Sequence, residues 1–181
     1  MLIAKSPLRI SFLGGGSDFP SYFQNSSIGG SVLGTSIARY VYVMIENQPL
    51  FEEVKFRVTY RKTDAAQDLE SIKHPSVRES LKLRSWTSPL NIATMADLPG
   101  RSGLGSSSAF TVALNIALDK MQNRDLALSS KYLYDLAHRA IMIERIKLNE
   151  HGGYQDQFHS VFGGLRRYDF FKSKVEILPK I

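Results

Sequence analysis

Alternating and β-branched apolar positions predict most of the strands in this chain. Residues 2–13 form an apolar stretch that ends at three glycines, and the alternation of apolar and polar side chains is strand-like from Tyr40 onwards. The predicted strands span residues 2–13, 31–46, 54–60, 90–95, 165–170 and 175–178.

Apolar residues repeat at helical spacing in the second half of the chain. The pattern predicts helices over residues 106–121 and 129–148, a shorter one over 75–83, and a brief one beginning near Asp18. The paired glycines 152–153 end the second long helix. Because strands come first, helices follow and strands return, the order favours a one-domain α+β sandwich over a doubly wound parallel sheet.

Composition excludes several classes of function. The 181 residues are 43% hydrophobic and 22% charged, which suits a folded domain. The positively charged residues that give the net charge of +6 are scattered, so they do not indicate a nucleic-acid surface. A positive charge of this size is compatible with an anionic small substrate and equally with lysines and arginines that are merely solvated. The chain has no cysteine, no signal-peptide pattern and no apolar run of roughly 18 residues, so we expect a cytoplasmic protein without a membrane partner.

The segment from Pro99 to Ala109 directly precedes a predicted helix and combines glycines with consecutive serines. Glycines let backbone amides approach an anion closely, and the first turn of a helix offers unpaired N–H groups at the positive end of its dipole. Hydroxyl ligands for phosphate oxygens or Mg²⁺ come from Ser106, Ser107 and Ser108. The segment therefore predicts a phosphate-binding loop; serines that only cap the helix are the alternative.

Two better-known phosphate loops are excluded, because the segment lacks a Gly-Lys-Ser/Thr ending and the chain lacks the protein-kinase signatures. The segment instead resembles the second signature of the GHMP kinases, Pro-x-x-x-Gly-Leu-Gly-Ser-Ser. The matching residues are Pro99, Gly103, Leu104, Gly105, Ser106 and Ser107. The resemblance implies that these residues, with Ser108, bind ATP.

The stretch that ends in Gly-Gly-Gly-Ser-Asp resembles the first signature of the same family. Its galactokinase-like members imply that Arg9 assists the reacting hydroxyl and that Asp18 binds sugar hydroxyls. The glycine-rich turn looks more like that of the heptose-phosphate kinases, and it implies further sugar contacts at Gly15, Gly16 and Ser17. The alternatives are a surface charge on an edge strand for Arg9 and a helix N-cap for Asp18.

Two carboxylates match the acidic residues of the family. The resemblance implies that Glu144, on the helix after the loop, holds Mg²⁺, with Ser106 or a neighbouring hydroxyl as the second protein ligand. It also implies that Asp156, in a Gly-x-x-Asp-Gln turn, acts as the base. Such groups suit phosphoryl transfer, which needs hard oxygen ligands for Mg²⁺ and benefits from a carboxylate that accepts the hydroxyl proton. The alternatives are a salt bridge of Glu144 with Arg145 or Lys147 and a turn role for Asp156.

The resemblance implies a two-layer fold similar to domain 2 of ribosomal protein S5, with helices on a mostly antiparallel sheet. Family members also carry a C-terminal ferredoxin-like domain, so residues 1–181 are expected to be the N-terminal, ATP-binding domain without that second one. We expect an apolar face where a second domain would dock, and such a face would favour a homodimer.

The implied reaction is Mg²⁺- and ATP-dependent transfer of the γ-phosphoryl group to the anomeric hydroxyl of a heptose 7-phosphate. Another sugar acceptor, of the fucose or galactose type, and a truncated non-catalytic half that binds nucleotide or sugar are the alternatives. A basic residue placed to hold a second phosphate would favour the heptose phosphate, and the candidates are Arg39, Arg101 and Lys131.

Two further sets of residues are weaker candidates for functional roles. Trp86, with Tyr60 and Lys62, is a candidate for the adenine pocket, although core packing is the more ordinary use of a tryptophan. The four histidines lie far apart in the sequence with no metal-ligand spacing, and only His151 adjoins the predicted catalytic turn.

Overall fold

The computed structural model describes residues 1–48, 54–100 and 102–179. Its strands are β1 (Leu2–Leu13), β2 (Gly30–Asn47), β3 (Phe56–Thr59), β4 (Thr63–Ala66), β5 (Leu90–Ala96), β6 (Leu165–Phe170) and β7 (Val175–Ile177). Its helices are α1 (Pro20–Phe23), α2 (Pro75–Lys82), α3 (Ser106–Gln122), α4 (Ser130–Ile141) and α5 (Gln155–Phe162), and a π-helical segment (Met142–Lys147) continues α4.

The seven strands form one sheet around the long strand β2. The order is β4-β3-β5-β2-β6-β7, and β1 pairs with the opposite edge of β2 along nearly all of its length. The first half of β2 pairs with β6 and the second half with β5. All pairings are antiparallel except that of β3 with β5. The mostly antiparallel sheet that the resemblance implies is therefore confirmed.

The helices form the second layer. α3 and α5 pack on β1 and β2, α4 packs on α3 and α5, and α2 packs on α3. Their contacts with the sheet bury two main apolar clusters, one around α3 and one around α5. Full burial of such side chains contributes about 2 kcal/mol each, which holds the two layers together.

An irregularity in β1 connects the sheet to the segment before α3. The register of β1 against β2 shifts between Pro7 and Leu8, where the proline has no N–H to donate to a neighbouring strand. Shortly after it, the backbone N–H of Arg9 donates to the carbonyl oxygen of Leu104 at 3.0 Å. The outer edge of β1 therefore holds the loop before α3 in place.

Several local predictions need correction. The predicted turn around Asp156 is the first turn of α5, so a turn role for this residue is wrong. The short helix begins at Pro20 with Phe19 at its N-cap and no side-chain cap, so Asp18 does not cap it. The strand β4 was not predicted, and the long helix over 129–148 is α4 followed by the π-helical segment. The other predicted strands and helices are present with ends shifted by a few residues.

Candidate functional site

Arg9 and Asp156 form a tight ion pair although 147 positions separate them in the chain. Nε and Nη2 of Arg9 lie 2.7 and 2.6 Å from Oδ1 of Asp156. The third contact runs from Nη1 of Arg9 to the carbonyl oxygen of Gly103 at 2.6 Å. One guanidinium thus joins β1, the first turn of α5 and the loop before α3, so Arg9 is not a free surface charge.

Only one oxygen of the Asp156 carboxylate is used by this pair. Within the described ranges Oδ2 has no hydrogen bond, and it lies 3.5 Å from the place that a Cβ at Gly105 would occupy. Gly105 has a φ of +75°, which side chains rarely adopt, and the same Cβ would lie 3.3 Å from Cγ of Arg9. The site therefore keeps a carboxylate oxygen available directly beside the loop.

The loop before α3 lies between this ion pair and a cavity that two of the loop serines line. Gly103 and Gly105 both have left-handed backbone conformations and face Arg9, whereas Ser106 and Ser107 line the cavity. Gly105 occupies the N-cap position of α3 without a side-chain cap, so the alternative that the loop serines cap the helix is wrong. The first-turn amides of α3 are therefore available for an anion.

The cavity measures about 480 Å³, a size typical of small-molecule sites. Its wall includes the aliphatic side chains of Val41, Met95 and Leu98 and the aromatic rings of Tyr60, His74 and Phe110. Arg61 also lines it, with a guanidinium nitrogen 2.9 Å from where a Cβ at Gly100 would stand. An apolar wall, hydroxyls and a cation meet in one cavity.

Glu144 lies behind the loop with 1% of its surface exposed. Its Oε2 accepts hydrogen bonds from Ser108 Oγ at 2.8 Å and Gln157 Nε2 at 2.5 Å, and Arg145 lies 3.7 Å away. Its Oε1 is buried without a hydrogen-bond partner. Burial raises the pKa of the Glu144 carboxyl above its ordinary value, although Ser108 and other neighbours oppose the shift. The predicted alternative of a salt bridge with Arg145 is therefore present at Oε2, while the unpaired Oε1 is of a type that can also bind a cation.

Magnesium is compatible with these residues. The hard oxygens are Glu144 Oε1 and the serine hydroxyls of the loop, which are ligand types that Mg²⁺ accepts together with waters and phosphates. The hydroxyl that contacts Glu144 belongs to Ser108, whereas Ser106 lines the cavity. Among the described residues no group of three or more His, Cys, Asp or Glu side chains could hold a metal by itself.

Asp18 is fully buried and fixes the glycine-rich turn against α5. Its Oδ1 accepts from Gly16 N at 3.1 Å, and its Oδ2 accepts from Gln155 N at 3.0 Å, at the start of α5. A Cβ at Gly153 would lie 1.9 Å from Oδ2, so only glycine fits there. A sugar hydroxyl that binds Asp18 has to share these oxygens with the amides that they already accept.

The rest of the turn is more open. Gly15 and Gly16 are exposed, and the space around Gly16 is empty. Ser17 Oγ lies 2.7 Å from Gly14 O and 2.9 Å from Ser31 O, so its hydroxyl attaches the turn to β2. Of the predicted sugar contacts, the two glycines are the most accessible.

Sequence reasoning missed three residues near the site. His159 lies one helical turn after Asp156, is fully buried and has no hydrogen bond at either ring nitrogen. Burial, with Arg9 and Arg166 nearby, lowers the pKa of His159 to about 4. His74 and Arg61 line the cavity far from any motif. No local pattern marks these three residues, because their positions arise from the packing of distant segments.

Other candidates lie elsewhere. Trp86 is buried in the core with Nε1 bonded to Ser88 O, which confirms packing rather than a place in the cavity. Lys131 is exposed on α4 and pairs with Asp135, and Arg39 is exposed and donates to the carbonyl of Ala38. Arg101 lies outside the described residues. Over the described ranges, no helix has the length and apolar character that spanning a membrane requires.

Known proteins resemble this chain over most of its length. It is 28% identical over 179 residues to D-glycero-alpha-D-manno-heptose 7-phosphate kinase of Campylobacter jejuni, covering 94% of this chain and 51% of that protein. A crystal structure of a D-glycero-D-manno-heptose 1-phosphate kinase from Bacteroides thetaiotaomicron superposes with a TM-score of 0.82 at 26% identity, covering 99% of this chain and 60% of that one. The chain thus spans about half the length of the curated relative it matches.

More distant structures share the fold. Lactococcus lactis galactokinase, solved with galactose, gives a TM-score of 0.69 at 18% identity, covering 98% of this chain and 47% of that one. The family description "GHMP kinases N terminal domain" matches residues 70–164, which is more than half of the 181 residues and includes the loop, Glu144 and Asp156. The chain therefore belongs to the GHMP kinase family through its N-terminal domain.

Proposed function

We propose that this domain binds ATP on the loop before α3 and that its protein transfers the γ-phosphoryl group to the anomeric hydroxyl of a heptose 7-phosphate. The observation that carries the proposal is the Arg9–Asp156 ion pair, which is bonded to the phosphate loop and leaves one carboxylate oxygen available. The heptose phosphate is favoured because the two relatives described above at 28% and 26% identity are named heptose-phosphate kinases.

The loop supplies the phosphate contacts. Backbone N–H groups at Gly105 and in the first turn of α3 would bind the phosphates, together with the hydroxyls of Ser106 and Ser107. Arg61, at the edge of the same cavity, adds a positive charge. The nucleoside then occupies the apolar part of the cavity, and the γ-phosphate lies on the side of the loop that faces Arg9.

Asp156 is the proposed base. Its Oδ2 accepts the proton of the sugar hydroxyl as that oxygen bonds to the γ-phosphorus and ADP leaves. The products are ADP, a protonated carboxyl and the sugar with a new phosphate at position 1, which for heptose 7-phosphate is the 1,7-bisphosphate. Arg9 uses three of its N–H donors on Asp156 and Gly103, and a guanidinium has five, so two remain for the acceptor oxygen or the phosphoryl group. Positioning and charge neutralisation supply most of the rate in such reactions.

Magnesium would be held by Glu144 and a hydroxyl of the loop serines, Ser106 in the predicted arrangement. When bound, Mg²⁺ neutralises negative charge on the transferring phosphates. Glu144 and its partners Ser108 and Gln157 also connect α3, the π-helical segment and α5 behind the loop. Their contribution before any ion binds is therefore to fix the loop relative to Asp156.

The glycine turn is the proposed sugar side of the site, with Asp18, Gly15, Gly16 and Ser17 as its contacts. Phe12 and Leu13, at the adjoining end of β1, are 54% and 66% exposed. Since the heptose-phosphate kinases that this chain matches are longer, we propose that a second domain, or a second copy of this chain, covers these apolar side chains and closes the sugar site.

Phosphorus NMR of the 181-residue chain with Mg-ATP tests the proposal. Separate samples would contain heptose 7-phosphate, fucose or galactose as the acceptor. The expected result is a new sugar 1-phosphate signal, accompanied by ADP, with the heptose phosphate alone. A signal with fucose or galactose would reassign the acceptor, and the absence of turnover with all three would make the chain a non-catalytic binding half.

A further inference from the structure

His74 has an unusual position for a polar side chain, in an aromatic part of the cavity wall. Its ring centroid lies 5.0 Å from that of Tyr60, edge to face, and 4.8 Å from that of Phe110. The backbone holds the residue rigidly, because His74 O accepts from Arg78 N at 3.0 Å and Pro75 begins α2. The imidazole is therefore presented to the cavity by a fixed wall.

Neither ring nitrogen of His74 has a hydrogen bond with the described part of the chain. Nδ1 is buried without a partner, so Nε2 is the ring nitrogen that a ligand in the cavity can reach. Burial lowers the pKa of His74, so the ring is neutral near pH 7. A neutral imidazole has one donor and one acceptor nitrogen, and leaving either unpaired next to apolar groups is costly.

The neutral imidazole carries its proton on one of the two ring nitrogens, and Nδ1 is the one that is buried. With the proton on Nδ1, Nε2 presents a lone pair. Nε2 then accepts a hydrogen bond from a ligand and repels a carbonyl oxygen in the same place.

A nucleobase has the shape and polarity that this wall requires. Its faces would pack on the aliphatic side chains and the rings, while one polar edge would reach His74. The loop serines and Arg61 line the same cavity and suit the phosphates of the same ligand. A sugar, in contrast, has hydroxyls around its whole ring and gains little from a wall with one accessible nitrogen.

We propose that His74 selects the base of the nucleotide, with Nε2 accepting a hydrogen bond from the exocyclic amino group of adenine. The inference rests on the proposed nucleotide use of the cavity and adds a residue that determines its specificity. Hypoxanthine, which carries a carbonyl oxygen in place of that amino group, is rejected because two acceptors would then face each other.

The test compares ADP with IDP, which differ at that position of the base. Calorimetric titration of the 181-residue chain should show ADP binding roughly tenfold more tightly than IDP, because one hydrogen bond to the base is replaced by an unfavourable contact. In His74→Phe the ring packing remains and the acceptor is lost, so ADP should weaken roughly fivefold and the preference for ADP over IDP should disappear.

The matched control is His138→Phe. His138 is also partly buried, packs against Tyr134 and Phe158, and has its pKa lowered by burial, but it lies on α4 and does not line the cavity. This variant should bind both nucleotides as the parent does. A change in base preference in both variants would indicate a general effect of losing a buried imidazole and would overturn the proposal.

The remaining outcomes distinguish the role of His74 from the nucleotide use of the cavity. If the parent prefers ADP and His74→Phe keeps that preference, or if the parent binds ADP and IDP equally, the proposed role of His74 is wrong while nucleotide binding stands. If the parent binds neither nucleotide, the proposed use of the cavity fails as well. Should His74→Phe not fold, the ¹⁵N resonance of His74 Nε2 in the parent must shift on adding ADP and stay unchanged with IDP.

Discussion

Two of the aspartate–arginine clusters among the described residues differ in how completely the carboxylate is used. The Arg9–Asp156 pair lies beside the phosphate loop. The other cluster, which we call the Asp119 cluster, contains Asp119, Arg84, Arg139 and Tyr132 and joins α3 to α4 and to the segment after α2.

Both oxygens of Asp119 are saturated. Oδ1 accepts from Nε and Nη2 of Arg84, and Oδ2 accepts from Arg139 Nη1 and the Tyr132 hydroxyl, at distances between 2.5 and 3.0 Å. Burial alone raises the pKa of Asp119, but Arg84 and the other partners outweigh it and hold that pKa below its usual range. Since no lone pair is directed at a ligand, we attribute a structural role to the Asp119 cluster.

In the candidate functional site, by contrast, several polar groups are not saturated with hydrogen bonds. Asp156 Oδ2 and Glu144 Oε1 lack hydrogen bonds within the described ranges, and so do both nitrogens of His159. The Glu144 and His159 atoms are buried, and native proteins rarely leave buried polar atoms unpaired unless a ligand, an ion or water completes them; the Asp156 side chain is partly exposed. An arginine beside an aspartate is thus a weak guide to function, whereas an unsaturated carboxylate next to an anion-binding loop is a stronger one.

The largest expected effect is on turnover in Asp156→Asn. The amide keeps the size of the carboxylate but is a very weak base, so kcat should fall about 10² to 10⁴-fold, whereas affinity for ADP changes less than about threefold. The measurement is the rate of sugar phosphate formation beside a calorimetric titration with ADP. Asp135→Asn, an exposed carboxylate of α4, is the control, and turnover of Asp156→Asn close to the parent value would refute the base role.

Asp119→Ala should lower the stability of the folded domain, in contrast to the effect of Asp156→Asn on turnover. It leaves Arg84 and Arg139 without their carboxylate in a partly buried position, which should reduce the free energy of unfolding by about 3–5 kcal/mol. Urea denaturation measures that loss, with Asp135→Ala as the control for an exposed pair. A loss below about 1 kcal/mol would contradict the structural role of the Asp119 cluster.

His159 should make the folded domain sensitive to acid. Its folded pKa of about 4 lies below the ordinary value of 6.5, so the unfolded chain takes up a proton first and stability is lost as pH falls from 6.5 towards 4. Between pH 7 and pH 5 the loss from this group is about 2 kcal/mol. His159→Leu should remove that part of the pH dependence of unfolding, whereas His151→Leu, at an exposed position, should retain it.

Glu144→Gln is expected to give the smallest change. The raised pKa means that the contribution of Glu144 to stability is present below pH 4.5 and is lost as pH rises through the folded pKa. Without Mg²⁺ at pH 7, a neutral amide should therefore raise Tm by about 2–4 °C, which corresponds to about 1 kcal/mol. Calorimetry should also show that Mg-ADP stabilises the variant less than the parent. A lower Tm in the absence of metal would contradict a net destabilisation by the buried, ionised carboxylate.

The sequence predicts the parts of the fold whose signals are local. β1, β2 and α3 are long and strongly periodic, so their existence could be predicted. β4 has four residues, Thr63–Ala66, and becomes a strand because β3 pairs with it. The eight-residue helix α5 begins just after one glycine pair and ends at another, which made it look like a turn.

The site divides in the same way. The motif residues Arg9 and Asp156 could be predicted to act together, and the structure brings them into contact. Of the base end of the cavity the sequence predicts Tyr60 but not His74 or Phe110, because these rings meet only when β3, α2 and α3 pack. The sequence could not predict either that Asp156 keeps an oxygen without a hydrogen bond whereas Asp119 does not, since saturation of a carboxylate depends on partners distant in the chain.

The most direct test of the contrast between the two clusters is an NMR titration of the chain with ADP. The resonances to follow are the backbone amides of residues 103–109 and the Nε–H groups of Arg9 and Arg84. We predict that the loop amides and Arg9 Nε–H shift on binding, while Arg84 Nε–H in the Asp119 cluster stays unchanged. Shifts at Arg84 with none in the loop or at Arg9 would contradict the assignment of the loop and the Arg9–Asp156 pair as the functional site.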